Sequence, residues 1–76
     1  MIKRMVSETI YKYNMAIEEH NVFSAVMVYR LVNAFTTLYA TGVMSQKTYD
    51  EYKDKMYSMK NKVCYVYGED EIKEYL

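Results

Sequence analysis

The scarcity of helix-breaking residues constrains the fold of this chain more than any other sequence feature. There is no proline among its 76 residues, and the only glycines are Gly42 and Gly68. Apolar residues recur at three- and four-residue steps, and no stretch alternates over the length of a strand. The pattern predicts an all-α fold in a single domain of residues 1–76: a small bundle of three main helices plus a short C-terminal helix.

The first helix is predicted from about Ile2 to His20. Asn21 can cap either end of a helix, and the apolar phase passes through this junction almost unchanged. One continuous helix from Ile2 to Ala40 therefore remains an alternative. The predicted core face of the first helix consists of Ile2, Met5, Val6, Thr9, Ile10, Tyr13, Ala16 and Ile17.

The second helix has a clearer end. Gly42 stands where a left-handed residue follows a helix, and Ser45 can cap the next helix with its hydroxyl. So short a connection brings helices two and three together antiparallel or at a steep angle. Helix three, which Gly68 ends, carries a heptad-like seam of Tyr49, Tyr52, Met56, Met59, Val63 and Val66. A last short helix should fold back onto the bundle through Ile72, Tyr75 and Leu76.

Residues 22–40 are almost long enough to cross a membrane. Polar residues interrupt the stretch, however, and an arginine near its middle costs roughly 2.5–3.5 kcal/mol on insertion. We therefore expect a helix that is buried on more than one side, and no membrane partner. The interrupting residues are Ser24, Arg30, Asn33, Thr36 and Thr37.

The second helix has two faces that are too apolar for solvent. One face packs naturally against helices one and three. The other mixes apolar, aromatic and polar residues with one arginine, as protein interfaces do, and an asparagine there can fix the register of a pair. We therefore predict a homodimer, in which Arg30 reaches Glu18 or Glu19 of the second chain. The alternative is that helix one or the tail covers this face. The predicted interface residues are Val26, Tyr29, Arg30, Asn33 and Thr37.

Several large side chains point away from the predicted core. Tyrosine offers a large amphipathic contact area at low entropic cost. A second contact surface is therefore predicted at Tyr11, Met15, Tyr57 and Tyr65.

No residue pattern predicts catalysis, a cofactor or a metal site. His20 is the only histidine and Cys64 the only cysteine, and neither has partners at ligand or nucleophile spacing. A glycine-rich phosphate loop is also lacking. The chain is therefore predicted not to be an enzyme. A lone cysteine suits a reducing compartment, which favours the cytoplasm of a bacterial host cell. The abundance of residue types with AT-rich codons favours an origin in a low-GC bacterium or one of its phages.

Charge argues against general nucleic-acid binding, because Lys and Arg total ten, as do Asp and Glu. Lys53 and Lys60 lie on one flank of the helix-three seam, whereas Lys55 and Lys62 lie on the other. Lysines placed in this way normally cover the rim of a packed seam.

The predicted function is protein binding. We expect a phage- or mobile-element-encoded regulator or inhibitor of a larger host protein, with anti-defence and anti-CRISPR proteins among the types that fit. The alternative is a small dimeric DNA-binding regulator that uses the corner at residues 42–45 as a helix-turn-helix.

Overall fold

A computed structural model describes every residue from Met1 to Leu76, and the chain is all-helical. The helices are α1 (Ile2–Glu18), α2 (Val22–Ala40), α3 (Gln46–Tyr67) and α4 (Glu69–Lys73). Three long helices and one short helix confirm the predicted all-α architecture. The 22 residues of α3 give it a length of about 33 Å. The longest dimension of the molecule is 33 Å, so α3 runs the full length of the bundle.

α1 and α2 are separate helices, and the alternative of one helix over residues 2–40 is wrong. α1 ends at Glu18, two residues before the predicted boundary, and His20 has a left-handed φ of 54°. Asn21 then caps α2, because its side-chain oxygen accepts a hydrogen bond from the Ser24 amide at 3.2 Å. Only three residues, 19–21, separate the two helices. Three residues are close to one helical turn of 3.6 residues, so the spacing of apolar residues along the sequence hardly shows the break.

The turn between α2 and α3 forms as the sequence predicts. Gly42 has a φ of 81°, which a residue with a Cβ adopts only at a cost. The amides of the next two residues both donate to the Leu38 carbonyl, at 2.9 and 3.0 Å. The Ser45 hydroxyl accepts a hydrogen bond from the Thr48 amide at 3.2 Å and so caps α3.

α2 and α3 form an antiparallel hairpin. Near the turn, the Tyr39 and Tyr49 rings stack with their centroids 3.9 Å apart. Farther along both helices, the Lys60 ammonium group donates to the Asn33 side chain at 3.0 Å. The two helices contact each other both near the turn and farther from it, so they must lie side by side. This geometry differs from the steep crossing of a helix-turn-helix motif.

The core lies between the three long helices. α1 contributes its predicted face, on which Thr9 is the fully buried polar residue, and the Thr9 hydroxyl donates to the Met5 carbonyl at 2.7 Å. Ser24 is the other buried polar residue. The apolar core draws on all four helices and on the turn before α3. Its members are Val6, Ala16, Ala25, Val26, Val28, Tyr29, Val32, Phe35, Met44, Met56, Met59, Val63 and Ile72.

The α3 seam is buried along most of its length. Met56, Met59 and Val63 lie in the core, but Val66 is 49% exposed. An α-helix drifts by about 20° per heptad relative to a strict seven-residue repeat. The last position of the seam has therefore rotated out of the interface.

α4 returns to the bundle after Gly68, whose φ is 88°. Ile72 is fully buried, as the sequence predicts. The next residues extend beyond the core in short helical turns, so Tyr75 and Leu76 remain 43% and 54% exposed. Tyr75 nevertheless returns to α2, where its ring meets Phe23 and its carbonyl accepts a hydrogen bond from Arg30, so the predicted return of the tail to the bundle is confirmed for Ile72 and Tyr75.

α2 meets the length and composition criteria for a membrane-spanning helix. Its most apolar 18-residue window has a mean hydropathy of 1.3, and 39% of that window is buried inside the protein. Core helices of soluble proteins satisfy the same criteria, so this property is weak evidence for a membrane segment.

Candidate interaction surface

The predicted interface face of α2 is divided between buried and exposed residues. Val26 and Tyr29 are only 5% and 6% exposed. The Lys60 ammonium group lies 4.7 Å from the centre of the Tyr29 ring, and the Tyr29 hydroxyl donates to Glu69 Oε2 at 3.2 Å. Lys60 of α3 and Glu69 of α4 therefore cover Tyr29, which agrees at this residue with the alternative that the tail of the same chain covers the face.

Arg30 lies at the edge of this cover and is exposed. Its guanidinium group donates to the Tyr75 carbonyl at 3.2 Å, so within the chain it binds the tail. The predicted bonds to Glu18 or Glu19 belong to a second chain and stay a prediction.

Asn33 and Thr37 form the exposed remainder of the predicted interface. The Asn33 side-chain oxygen accepts the Lys60 hydrogen bond, and the Thr37 hydroxyl donates to the Asn33 carbonyl at 3.0 Å. Lys60 thus packs against α2, which agrees with the predicted role of the lysines as the rim of a seam. Contact of Asn33 and Thr37 with another chain stays a prediction.

Exposed apolar side chains lie beside Arg30, and we call them the Phe23 patch: the paired Phe23 and Tyr75, together with Leu76, which follows Tyr75 in the chain. Their exposed fractions are 65%, 43% and 54%. The first two rings meet edge to face, with centroids 5.4 Å apart and an angle of 80° between their planes. Sequence reasoning did not select Phe23. A signal existed, because Phe23 precedes Arg30 by seven residues and therefore shares its outer face.

Acidic side chains concentrate at the end of the bundle that carries the Phe23 patch. The ends of α1 and α3 meet there, because the Tyr67 hydroxyl donates to the Ala16 carbonyl, and α4 begins two residues after Tyr67. Residues 18–23 and 68–76 contain six carboxylates, all on exposed residues, and one lysine, Lys73. The only ion pair in the chain joins Lys53 to Asp50 at 3.2 Å, in the first part of α3. The six acids are Glu18, Glu19, Glu69, Asp70, Glu71 and Glu74.

The predicted second contact surface is not uniformly exposed. Tyr11 and Tyr65 are 61% and 85% exposed, whereas Met15 and Tyr57 are half-buried. The role of these residues in binding stays a prediction.

The Tyr57 hydroxyl belongs to a hydrogen-bonded chain between α3 and α2. The Thr36 hydroxyl donates to the Val32 carbonyl at 3.1 Å. Each hydroxyl has one proton, so Thr36 accepts from Tyr57 at 2.9 Å, and Tyr57 accepts from Tyr49 at 2.8 Å. Donation to Tyr57, together with burial, raises the pKa of Tyr49 to about 12. The chain of bonds therefore favours the neutral form of Tyr49.

Histidine and cysteine are the residue types most often used in catalysis and metal binding. The only ones in this chain, His20 and Cys64, occupy structural positions. His20 forms the left-handed turn before α2. Burial raises the pKa of the Cys64 thiol, and the negative charge of Glu69 raises it further. No group of three or more His, Cys, Asp or Glu side chains could hold a metal ion, and the surface has no pocket.

No protein-family model, curated protein or solved structure matches the chain. Function must therefore be inferred from the side chains that the fold exposes.

Proposed function

We propose that the chain is a small non-enzymatic protein that regulates or inhibits a larger protein by binding to it. The observation that carries this proposal is the pair of exposed, edge-to-face rings of Phe23 and Tyr75. Exposed apolar clusters rimmed by polar residues mark protein contact sites. Arg30 holds the backbone of Tyr75, and aromatic and arginine side chains are both enriched at interfaces.

The composition supports a source and a compartment for this activity. Tyr, Lys, Met, Ile and Asn are abundant, and there is one cysteine in a compact chain. We propose that a phage or mobile element encodes the protein and that it acts in the bacterial cytoplasm. An enzyme or a defence system of the host is the kind of partner that this origin favours.

Self-association through α2 is the second part of the proposal. The exposed stripe of α2 includes Arg30, Asn33, Ala34, Thr37 and Ala40, and it contains no acid. Short side chains allow two helices to approach closely, and a two-fold axis near Asn33 would place this stripe against its own copy. The buried Val26 and Tyr29 would then support the interface from below.

Light scattering on purified protein tests the dimer. Thr37→Arg places a long charged side chain in the middle of the stripe, and we expect it to convert a dimer into a monomer. Ser58→Arg is the matched control, because Ser58 is exposed on α3. A wild-type protein that is monomeric at high concentration would refute the dimer and leave binding to a larger partner open.

A tagged pull-down from the source organism, analysed by mass spectrometry, tests the binding function. We expect a protein partner to be retained at moderate salt. If no protein is retained and the chain instead binds DNA or heparin with a steep salt dependence, the DNA-binding alternative replaces this proposal.

A further inference from the structure

We propose that the Phe23 patch and the acids around it bind a basic amphipathic segment of the partner protein. This inference rests on the proposed function and specifies the chemistry of the partner. Exposed apolar side chains and acidic side chains lie at the same end of the bundle, and both support the inference.

The apolar evidence is a patch that is both exposed and held in place. Phe23 is 65% exposed although it lies in the first turn of a helix whose other face is in the core. Tyr75 is fixed by the Phe23 ring and by the Arg30 hydrogen bond to its carbonyl. Because this surface is already ordered, it would lose little conformational freedom when a partner binds, which favours association. Leucine-sized side chains suit such a patch.

The charge evidence determines which apolar partner fits. Six carboxylates at this end outnumber its cations, which are Lys73 and the Arg30 that binds the Tyr75 carbonyl. None of the six carboxylates is in an ion pair. The Tyr29 hydrogen bond engages one oxygen of Glu69. Complementary charge directs association and excludes partners of the wrong sign. Lysine or arginine flanking the apolar residues of the partner would therefore match this end.

Other occupants fit the charge less well. A second copy docked end to end would bring six further carboxylates against these six. An anionic membrane would be repelled for the same reason. A segment that combines leucines on one face with lysines on its flanks satisfies both halves of the surface.

Synthetic peptides provide the probe. The first is a fluorescent three-heptad peptide with leucines on one helical face and lysines elsewhere. The second has glutamates in place of the lysines, and the third has serines in place of the leucines. Fluorescence anisotropy with the full chain should detect binding of the Leu/Lys peptide only, and raising the salt should weaken that binding.

Matched variants localise the binding. Phe23→Ser should weaken binding of the Leu/Lys peptide at least about tenfold, as expected for an anchor residue. Val43→Ser, at an equally exposed position (61%) at the other end of α2, should not weaken it. Glu71→Lys with Glu74→Lys should weaken binding about tenfold at low salt. The control is Glu51→Lys with Asp54→Lys, which changes the net charge equally on exposed α3 positions.

Five results would overturn the inference. Equal effects of the two charge-reversed pairs would indicate attraction by net charge alone. Equal binding of the Leu/Glu peptide would remove charge as a determinant, and equal binding of the Ser/Lys peptide would remove the patch. Dissociation of a wild-type dimer by Phe23→Ser would identify a second copy as the occupant. A natural partner that both wild-type protein and Phe23→Ser retain equally would uphold the proposed function while this inference fails.

Discussion

The Tyr29 hydroxyl, in the middle of α2, donates a hydrogen bond to the carboxylate of Glu69, the first residue of α4, at 3.2 Å. Forty residues of sequence separate the two. Ile72, one turn farther along α4, is completely buried. α4 is too short to be stable alone, so these contacts with the bundle hold it in place.

Tyr29→Phe should loosen α4 without unpacking α2. The ring and its contact with Lys60 remain, while the hydrogen bond to Glu69 is lost, at a cost of about 0.5–1 kcal/mol for a partly exposed bond. Hydrogen exchange of the Ile72 amide, which donates to the Gly68 carbonyl, should become faster. Tyr11→Phe is the control, because Tyr11 is 61% exposed. Unchanged exchange in α4 would show that the bond does not hold the helix.

His20→Gly should raise the free energy of unfolding. His20 has a φ of 54°, and glycine adopts this conformation without the cost of a Cβ, so we expect a gain of about 0.5–1 kcal/mol. Denaturant titration measures it. The control is Asn14→Gly, an exposed position inside α1, which should lose about 0.3 kcal/mol. A loss of stability in His20→Gly would mean that the imidazole contributes more than the strain costs.

Met56→Asp should prevent folding. Met56 is 0% exposed in the α3 seam, and burying a carboxylate there costs several kcal/mol, comparable with the stability of the whole domain. Circular dichroism should show loss of helix at room temperature. Met56→Leu, which keeps an apolar side chain of similar size, should stay folded. A cooperative thermal transition near the wild-type temperature in Met56→Asp would contradict the assigned core.

Stability should fall as the pH rises from about 10 to about 12. The pKa of Tyr49 is about 12 in the folded chain, above its ordinary value of 10.0, so the folded state retains a proton that the unfolded state has lost. The stabilisation is complete below pH 10 and disappears through this interval. Tyr49→Phe should reduce the slope of denaturant midpoint against pH. Burial and Glu69 also raise the pKa of Tyr29, so part of the slope should remain. An unchanged slope would argue against the hydroxyl chain.

Local signals explain the features that the sequence predicted correctly. Gly42 and Ser45 have one favourable role each at a helix junction, and both adopt it. The buried positions of α3 follow from three- and four-residue spacing. Such spacing depends only on neighbouring residues, so it can be recognised without knowing the tertiary structure.

The cover of α2 could not be predicted in the same way. Periodicity indicates that a face is apolar but does not indicate which element will bury it. Tyr29 is covered by Lys60 and by α4, and the five residues of α4 are too few to show a pattern. The exposure of Tyr75 depends on where this short helix ends against α2. Whether a second chain also contacts Arg30, Asn33 and Thr37 stays a prediction.

Covering α2 with residues 69–76 also imposes an order on biosynthesis. The ribosome makes α1, α2 and α3 before it makes the segment in which Glu69 accepts the Tyr29 hydrogen bond. A released product that is truncated before Gly68 would lack this contact and the buried Ile72, and would leave this part of α2 open to other molecules in the cell. Exposed apolar surface on such intermediates promotes aggregation. Truncated products should therefore be captured by chaperones or degraded, while chains that extend through residue 76 escape both fates.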